Sequence, residues 1–453
     1  MPRTPQNGPP RERIDSIIVR NHHAPFENGQ IGVNDSIRQL LHRWQRPACG
    51  DAPSRLFRLA FSAWIVFAVA VSVKMVVSPV KHNSCAAFET GSLLWWAGLN
   101  MYELSYNEFR YGPAIAVAFS PLLVLPTAVG RLLWIWLNLA ALGWVLRALV
   151  RRILPASWTA DREGAFLLLV LALTYRGLWS AQCNTLLFAL IVAGMLAIQR
   201  RNWGRAALWL AVPVHIKVWP VAAVLLLIAC WPRQLAARFI IALLAIAAIP
   251  FLTQPPTVVC ERYYDWYLAL TGPMQVRHEY RDAWTIWELI QAPVDKLAYT
   301  LLQLSTALLV LALCLWHKRR GVTMPQLFTF ILGAWAAWQL LFGPGTERNT
   351  FGLMAPLTAW AVVTCFSNSR GRFVTGTAFA LTMMASIGQI ERAVMPVFPW
   401  VQMAHPLGVA IFAGWLFAHA RQWPAAAQEI EIDVTVSRRA TGTPSRVMAN
   451  VGS

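Results

Sequence analysis

Side chains able to do chemistry fall into five stretches of an otherwise apolar chain. Residues 79–130 hold Glu89, Glu103, Glu108 and Arg110; the run AQCN supplies Gln182 and Asn184, and HIKVWP supplies His215 and Lys217. Residues 255–295 add Glu261, Arg262, Asp265, Arg277, His278, Glu279, Arg281 and Asp282, and the turn GPGTERNT adds Glu347 and Arg348. Such a set offers carboxylates that can take a proton, cations that can neutralise an anion and amides that can bond hydroxyls. Ionisable groups among apolar helices are costly, so Lys217 and His215 are functional candidates by default. The plain alternative for Lys217 is a side chain reaching to the interface.

The elements that position these residues are membrane helices. The chain is 57% hydrophobic and 13% charged, and apolar runs of about 18 or more residues recur along it, which predicts an all-α polytopic membrane protein. Its net charge of +18 comes from basic clusters in the short gaps: Arg55 and Arg58; Arg147, Arg151 and Arg152; Arg200, Arg201 and Arg205; Arg233 and Arg238; Lys318 to Arg320; Arg370 and Arg372; Arg421. That distribution marks cytoplasmic ends and, without a recognition motif, speaks against nucleic acid.

Placing every cluster inside predicts spans near 56–78, 131–150, 164–181, 184–199, 239–254, 296–316, 325–343, 351–366, 373–390 and 405–420. Between the fourth and fifth of these, 206–231 must leave and return as two half-helices meeting around Pro213 to Pro220, giving about 10–12 spans in all. Residues 79–130 then form a large first extracytoplasmic loop, with Pro113 to Val129 as a helix docked in the outer leaflet. Loops this long tend to be functional.

Residues 1–54 read as a basic cytoplasmic region without a cleavable signal pattern. Within it Asp35 and Ser36 can cap an amphipathic helix presenting Ile37, Leu40, Leu41 and Trp44; a disordered basic arm is the other reading. Residues 55–420 form the transmembrane domain and 421–453 a disordered cytoplasmic tail. The seven cysteines lack metal-binding spacing. Cys85 and Cys260 both fall in outer loops, where a disulfide is permitted. No cofactor is implied by a nucleotide fingerprint, and a divalent metal is compatible with the chain but has no dedicated ligand cluster.

Five sequence features carry a family likeness: WWAGLNMY (95–102), FRYGPAIAVAFSPLLVLP (109–126), AQCN (181–184), HIKVWP (215–220), and Glu347 ahead of a span containing Pro356. Across roughly residues 56–366 the chain resembles the polyprenol-phosphate-sugar-dependent glycosyltransferases of the GT-C superfamily, most closely the family-87 type that includes bacterial α-mannosyltransferases. The resemblance implies a GT-C-type bundle in a bacterial inner (plasma) membrane. It also implies a polyprenyl-phosphate sugar donor, with mannose as the sugar, and inverting transfer to a lipid or glycan acceptor on the extracytoplasmic face. Membrane lipids are then partners as well.

The family's catalytic aspartate is missing. Enzymes of this type carry it early in the first outer loop, whereas HNSCAAFE (82–89) has none and Glu89 is the nearest acid. Glu89 is therefore the candidate base that takes the acceptor's proton, with Glu347 and Asp282 as rivals; its plain alternative is a surface acid paired with Lys81 or Arg110. The leaving phosphate gains charge as the glycosidic bond breaks, so fixed cations lower the barrier. Lys217 and Arg348 are the candidates, with His215 as a hydrogen-bonding partner; Arg348 could equally pair with Glu347. Gln182 and Asn184 can bond sugar hydroxyls or cap their turn. Trp95, Trp96, Trp284 and Trp287 can stack on sugar or isoprenoid, or form an interfacial belt. Two other functions stay open: a transporter or flippase for a lipid-linked or anionic substrate, which also uses broken helices, and an inactive relative that binds lipid-linked glycans.

Overall fold

The computed structural model describes residues 45–77, 83–103, 109–271, 281–291, 295–343, 346–384, 387 and 393–424, and its regular elements are helical. The proposed amphipathic helix at 35–44, the tail from 425, and Lys81, Glu108, Arg277, His278 and Glu279 lie outside those residues. In lipid a helix satisfies its own backbone, and that makes it the default for each apolar run.

α1 (Arg55–Val77) leads to two short helices, α2 (Cys85–Trp96) and α3 (Pro113–Phe119), and a 3-10 turn over Ser120–Val124. α4 (Thr127–Arg152), α5 (Ala160–Trp179) and α6 (Asn184–Gln199) follow. α7 (Trp203–Ile216) and α8 (Val221–Cys230) are the two half-helices, broken at 217–220. α9 (Pro232–Ala248) continues in a 3-10 turn to Leu252 and is followed by α10 (Pro256–Thr271) and α11 (Ala283–Leu289). After α12 (Lys296–Arg319) and α13 (Met324–Phe342) a 3-10 helix over Arg348–Met354 runs into α14 (Ala355–Thr364). α15 (Ser369–Met384) and α16 (Ala404–Ala420) complete the bundle.

Among the described residues six stretches are long and apolar enough to cross a membrane: α1, α4, α9 through Leu252, α12, α13, and Pro399–Ala420. The other expected spans are helical but shorter or more charged. α5, for example, carries Asp161, Arg162, Glu163 and Arg176. The span expected at 351–366 is part 3-10 helix, and its α-helical portion, α14, has 10 residues. The helix expected over Pro113 to Val129 stops at Val124, because Pro126 in extended backbone caps a new helix and Thr127 opens α4. The disulfide permitted by sequence is not formed. Cys85 is buried at the start of α2, Cys260 is exposed on α10, and both thiols are free.

Close packing fixes the directions of the helices. α1 and α5 run side by side, with Trp64 Nε1 donating to the Leu167 carbonyl (3.1 Å) and Lys74 Nζ to the Trp179 carbonyl (3.0 Å). A Cβ at Gly164 would stand 2.6 Å from the Phe57 backbone nitrogen, so a glycine is what lets these helices touch. At the arginine-rich end Thr329 Oγ1 donates to the Ile153 carbonyl (2.8 Å) and Trp360 Nε1 to that of Pro155 (3.2 Å). Buried Glu163 accepts from the Ala48 and Cys49 amides (2.7 and 3.0 Å), and Arg151 Nε donates to the Ala48 carbonyl. The chain just before α1 is therefore fastened to the bundle. The opposite end gathers the C-terminus of α1, α2, the α5–α6 turn, the α7–α8 break and the 3-10 helix at 348, beside a small aromatic core in which Phe88 stacks on Tyr111 (4.2 Å between ring centres) and packs on Trp134 (4.9 Å).

Candidate active site

The candidate residues form two polar groups, and the turn between α5 and α6 supports the first. α5 ends in a Schellman motif: the Gln182 amide donates to the Gly177 carbonyl (2.9 Å) and the Ala181 amide to that of Leu178 (3.0 Å). Ala181 accordingly sits in left-handed backbone at φ 52°, uncommon for a residue with a Cβ. Three successive carbonyls are thereby presented to other elements. Trp179 accepts from Lys74 Nζ, Ser180 from the Ser84 amide (2.9 Å) and Ala181 from Trp134 Nε1 (3.0 Å). The first turn of α6 is locked by a buried bond from Thr185 Oγ1 to Asn138 Oδ1 (3.2 Å).

The second support is the helix break. Pro213 lies in the last turns of α7, and Lys217 leaves it in extended backbone (φ −141°, ψ 141°). The carbonyl of His215, two residues earlier, accepts from the Gly112 amide (3.0 Å), and a Cβ at Gly112 would lie 2.9 Å from that oxygen. Glycine is therefore required for this approach. Pro113 is then the first residue of α3, and Trp266 Nε1 holds the Arg110 carbonyl (3.2 Å), so the RYGP stretch acts as a brace for the break.

Half-buried Lys217 points its ammonium at Asn184, donating to Oδ1 at 3.1 Å. Asn184, 4% exposed, donates from Nδ2 to the Asn349 carbonyl (3.2 Å), and Arg176 Nε donates to Asn349 Oδ1 (3.2 Å). Burial pushes the neighbouring Cys183 thiol up, the Lys217 ammonium pulls it down and the Glu347 carboxylate raises it, so both charges stand near this turn. The Arg281 amide donates to the Thr346 carbonyl (2.9 Å), and the guanidinium groups of Arg281, Arg348 and Arg176 lie within electrostatic reach of the buried His405 ring. The result is a cation-rich cluster at this end of the bundle, with the charge to balance an anionic group.

Glu89 belongs to the other polar group. Arg131, in the first turns of α4, grips both carboxylate oxygens, Nε to Oε1 at 2.6 Å and NH2 to Oε2 at 2.5 Å, with side-chain exposures of 10% and 14%. Where the sequence offered Lys81 or Arg110, the structure supplies Arg131. Cys85 Sγ lies 3.8 Å from Glu89 Oε1, and burial followed by the Glu89 charge pushes that thiol up.

The remaining candidates are dispersed. His215 turns its ring to α9, with Nε2 2.9 Å from the Leu243 carbonyl, rather than toward the Lys217–Asn184 pair. The Gln182 Oε1 atom is buried at the turn without a hydrogen bond. Asp282 caps α11 by accepting from the Thr285 amide (3.3 Å). Trp95 is 1% exposed in the small core, its Nε1 donating to Thr253 Oγ1 (3.2 Å), and it keeps no open face for stacking on a sugar. Trp96 is 51% exposed and bonds Ser120 Oγ, while Trp284 sits edge-on to Tyr299 and bonds Glu288. Among the described residues no three His, Cys, Asp or Glu side chains converge as a metal set.

Sequence reasoning missed Arg131, Arg176 and Asn349. Arg131 and Arg176 had a usable signal: each is a lone cation within a turn or so of the end of an apolar helix, the same cost argument that singled out Lys217. Asn349 had none, since an asparagine in a polar turn is ordinary. The family model Glycosyltransferase family 87 matches residues 109–344, just over half the chain. The match takes in Arg131, Arg176, Asn184 and Lys217, and leaves Glu89 and residues 347–349 outside it.

Proposed function

The chain belongs to glycosyltransferase family 87, and from that premise we propose that it moves mannose from a polyprenyl phosphate to a lipid or glycan acceptor on the extracytoplasmic face of a bacterial inner membrane. One observation carries this reading: the Lys217 ammonium is held by Asn184 in a helix break, at the end of the bundle opposite the arginine clusters that mark the cytoplasm. Lys217, with Arg348 and Arg176 nearby, takes the donor phosphate. Its ammonium has three donors and the Asn184 bond uses one.

The transfer is a single displacement. The acceptor hydroxyl oxygen bonds to the anomeric carbon as the bond from that carbon to the phosphate oxygen breaks. The electron pair leaves with the phosphate, whose growing charge the fixed cations stabilise without reorganising. The hydroxyl proton passes to a carboxylate. Glu89 fills that role, oriented by Arg131, because Oε2, bound by one guanidinium donor, keeps a further lone pair for a proton. Glu347 and Asp282 are the alternatives.

Membranes carrying the full chain, supplied with radiolabelled polyprenyl-phosphate mannose, test the reading. Lys217→Ala should impair donor use in a protein that is folded and inserted, and Lys217→Arg should keep part of the activity, its charge retained but its planar fork different from an ammonium. Wild-type donor affinity and turnover in Lys217→Ala would remove the assignment. A wild-type protein that transfers no sugar from any lipid-linked donor, yet moves such a lipid across the bilayer or only binds it, would replace the enzyme with a transporter or a binding protein.

A further inference from the structure

We propose that Asn349 is the positioning residue of the donor site, fixing where the Lys217 ammonium stands; the inference rests on Lys217 being the donor-phosphate cation. Four residues from four elements form one chain of bonds. Lys217, at the end of α7, donates to Asn184 Oδ1; Asn184, at the start of α6, donates to the Asn349 carbonyl; and Arg176, in the last turn of α5, donates to Asn349 Oδ1. Asn349 is the second residue of the 3-10 helix and is held from both sides, by its main chain and by its side chain.

The direction of the bonds gives this arrangement its effect. A carboxamide has one accepting and one donating end. The Asn349 carbonyl can only accept, so it claims the NH2 of Asn184 and leaves Oδ1 as the end that faces Lys217. Turned the other way, Asn184 would present an NH2 to an ammonium, and both partners would be donors. The orientation of Asn184, and through it the place of the Lys217 charge, therefore follows from where the Asn349 carbonyl sits. That carbonyl is anchored by the bond between Asn349 Oδ1 and Arg176. Arg176, carried by α5, is thus the fixed point from which Asn349 sets the position of the Lys217 charge. A preorganised position of this kind is what makes a fixed cation effective toward a phosphate.

A double-mutant cycle on binding decides the matter. The full-length protein in detergent is titrated with undecaprenyl phosphate as probe, in the wild type, Lys217→Ala, Asn349→Ala and the double variant, with thermal midpoints recorded for each. Asn349→Ala should weaken binding roughly tenfold, the worth of one good hydrogen bond, and the double variant should bind no more than about twofold more weakly than Lys217→Ala alone. Two losses that multiply, or no loss in Asn349→Ala while Lys217→Ala is weak, would overturn the role of Asn349 and leave the donor site standing. Wild-type binding in Lys217→Ala would instead remove the donor-site reading, and this inference with it. Should Asn349→Ala not fold, Asn349→Ser, too short to reach Arg176, goes through the same cycle with the same outcomes.

Discussion

Replacing Glu89 by glutamine perturbs two things at once, and the structure indicates how to separate them. Arg131 binds both carboxylate oxygens, and the two side chains are only 10% and 14% exposed. In Glu89→Gln one oxygen becomes an NH2 facing a guanidinium donor, and a mostly buried cation is left unbalanced. Breaking a buried pair from one side costs about 3–5 kcal/mol, which should lower the thermal midpoint clearly. Turnover should also fall by about 10²–10⁴-fold, the worth of a positioned base. Glu89→Gln combined with Arg131→Gln removes the stranded cation and restores a neutral pair. Most of the stability should then return while turnover at saturating donor stays low. The assay is thermal unfolding of the solubilised protein beside transfer kinetics in membranes. If the double variant turns over within about threefold of wild type, a loss of less than 1 kcal/mol in transition-state stabilisation, Glu89 and Arg131 hold structure and do no chemistry. Glu347→Gln and Asp282→Asn then become the variants expected to be dead.

Two further outcomes follow from named contacts. A maleimide that cannot cross membranes should label exposed Cys260 on intact cells and reach Cys49 only after permeabilisation, leaving Cys85 unmodified throughout because it is buried and its thiol is pushed up; labelling of Cys49 from outside would invert the membrane map. Gly112→Ala should cost about 1–3 kcal/mol of stability and raise the donor KM, since its Cβ would stand 2.9 Å from the His215 carbonyl and that backbone cannot swing aside; an unchanged midpoint and KM would show that the Lys217 break does not lean on Gly112.

Most of the helices were legible because each apolar run must satisfy its own backbone in lipid, and because arginines mark one end of each. The break at Lys217 was legible from the same count, as a segment holding Pro213 and Pro220 that had to turn back too soon. Boundaries were not: Pro126 starts α4 earlier than the apolar run suggested, and the residues before Ala355 wind as a 3-10 helix. Lateral meetings were not legible either. Glu89 finds Arg131 from 42 positions away, and Asn184 finds Asn349 from 165; no local spacing encodes such pairs.

Glu89 sits inside α2, but the other candidate residues share a physical position. Arg176 lies in the last turn of α5, Asn184 opens α6, Lys217 ends α7, Asp282 caps α11, Arg348 and Asn349 open the 3-10 helix, and His405 opens α16. A helix interior in lipid has no spare backbone groups and little tolerance for charge, whereas a helix end has orphan amides or carbonyls that need partners. Polar side chains are stabilised there, and only there is a helix irregular enough to aim one sideways into a neighbour. Helix ends therefore mark out most of the pool of candidate residues in a chain like this one. Which of them act together depends on which helix ends become neighbours, and here that is decided by close approaches such as Gly164 on Phe57 and Gly112 on His215, where the absence of a side chain lets one backbone meet another.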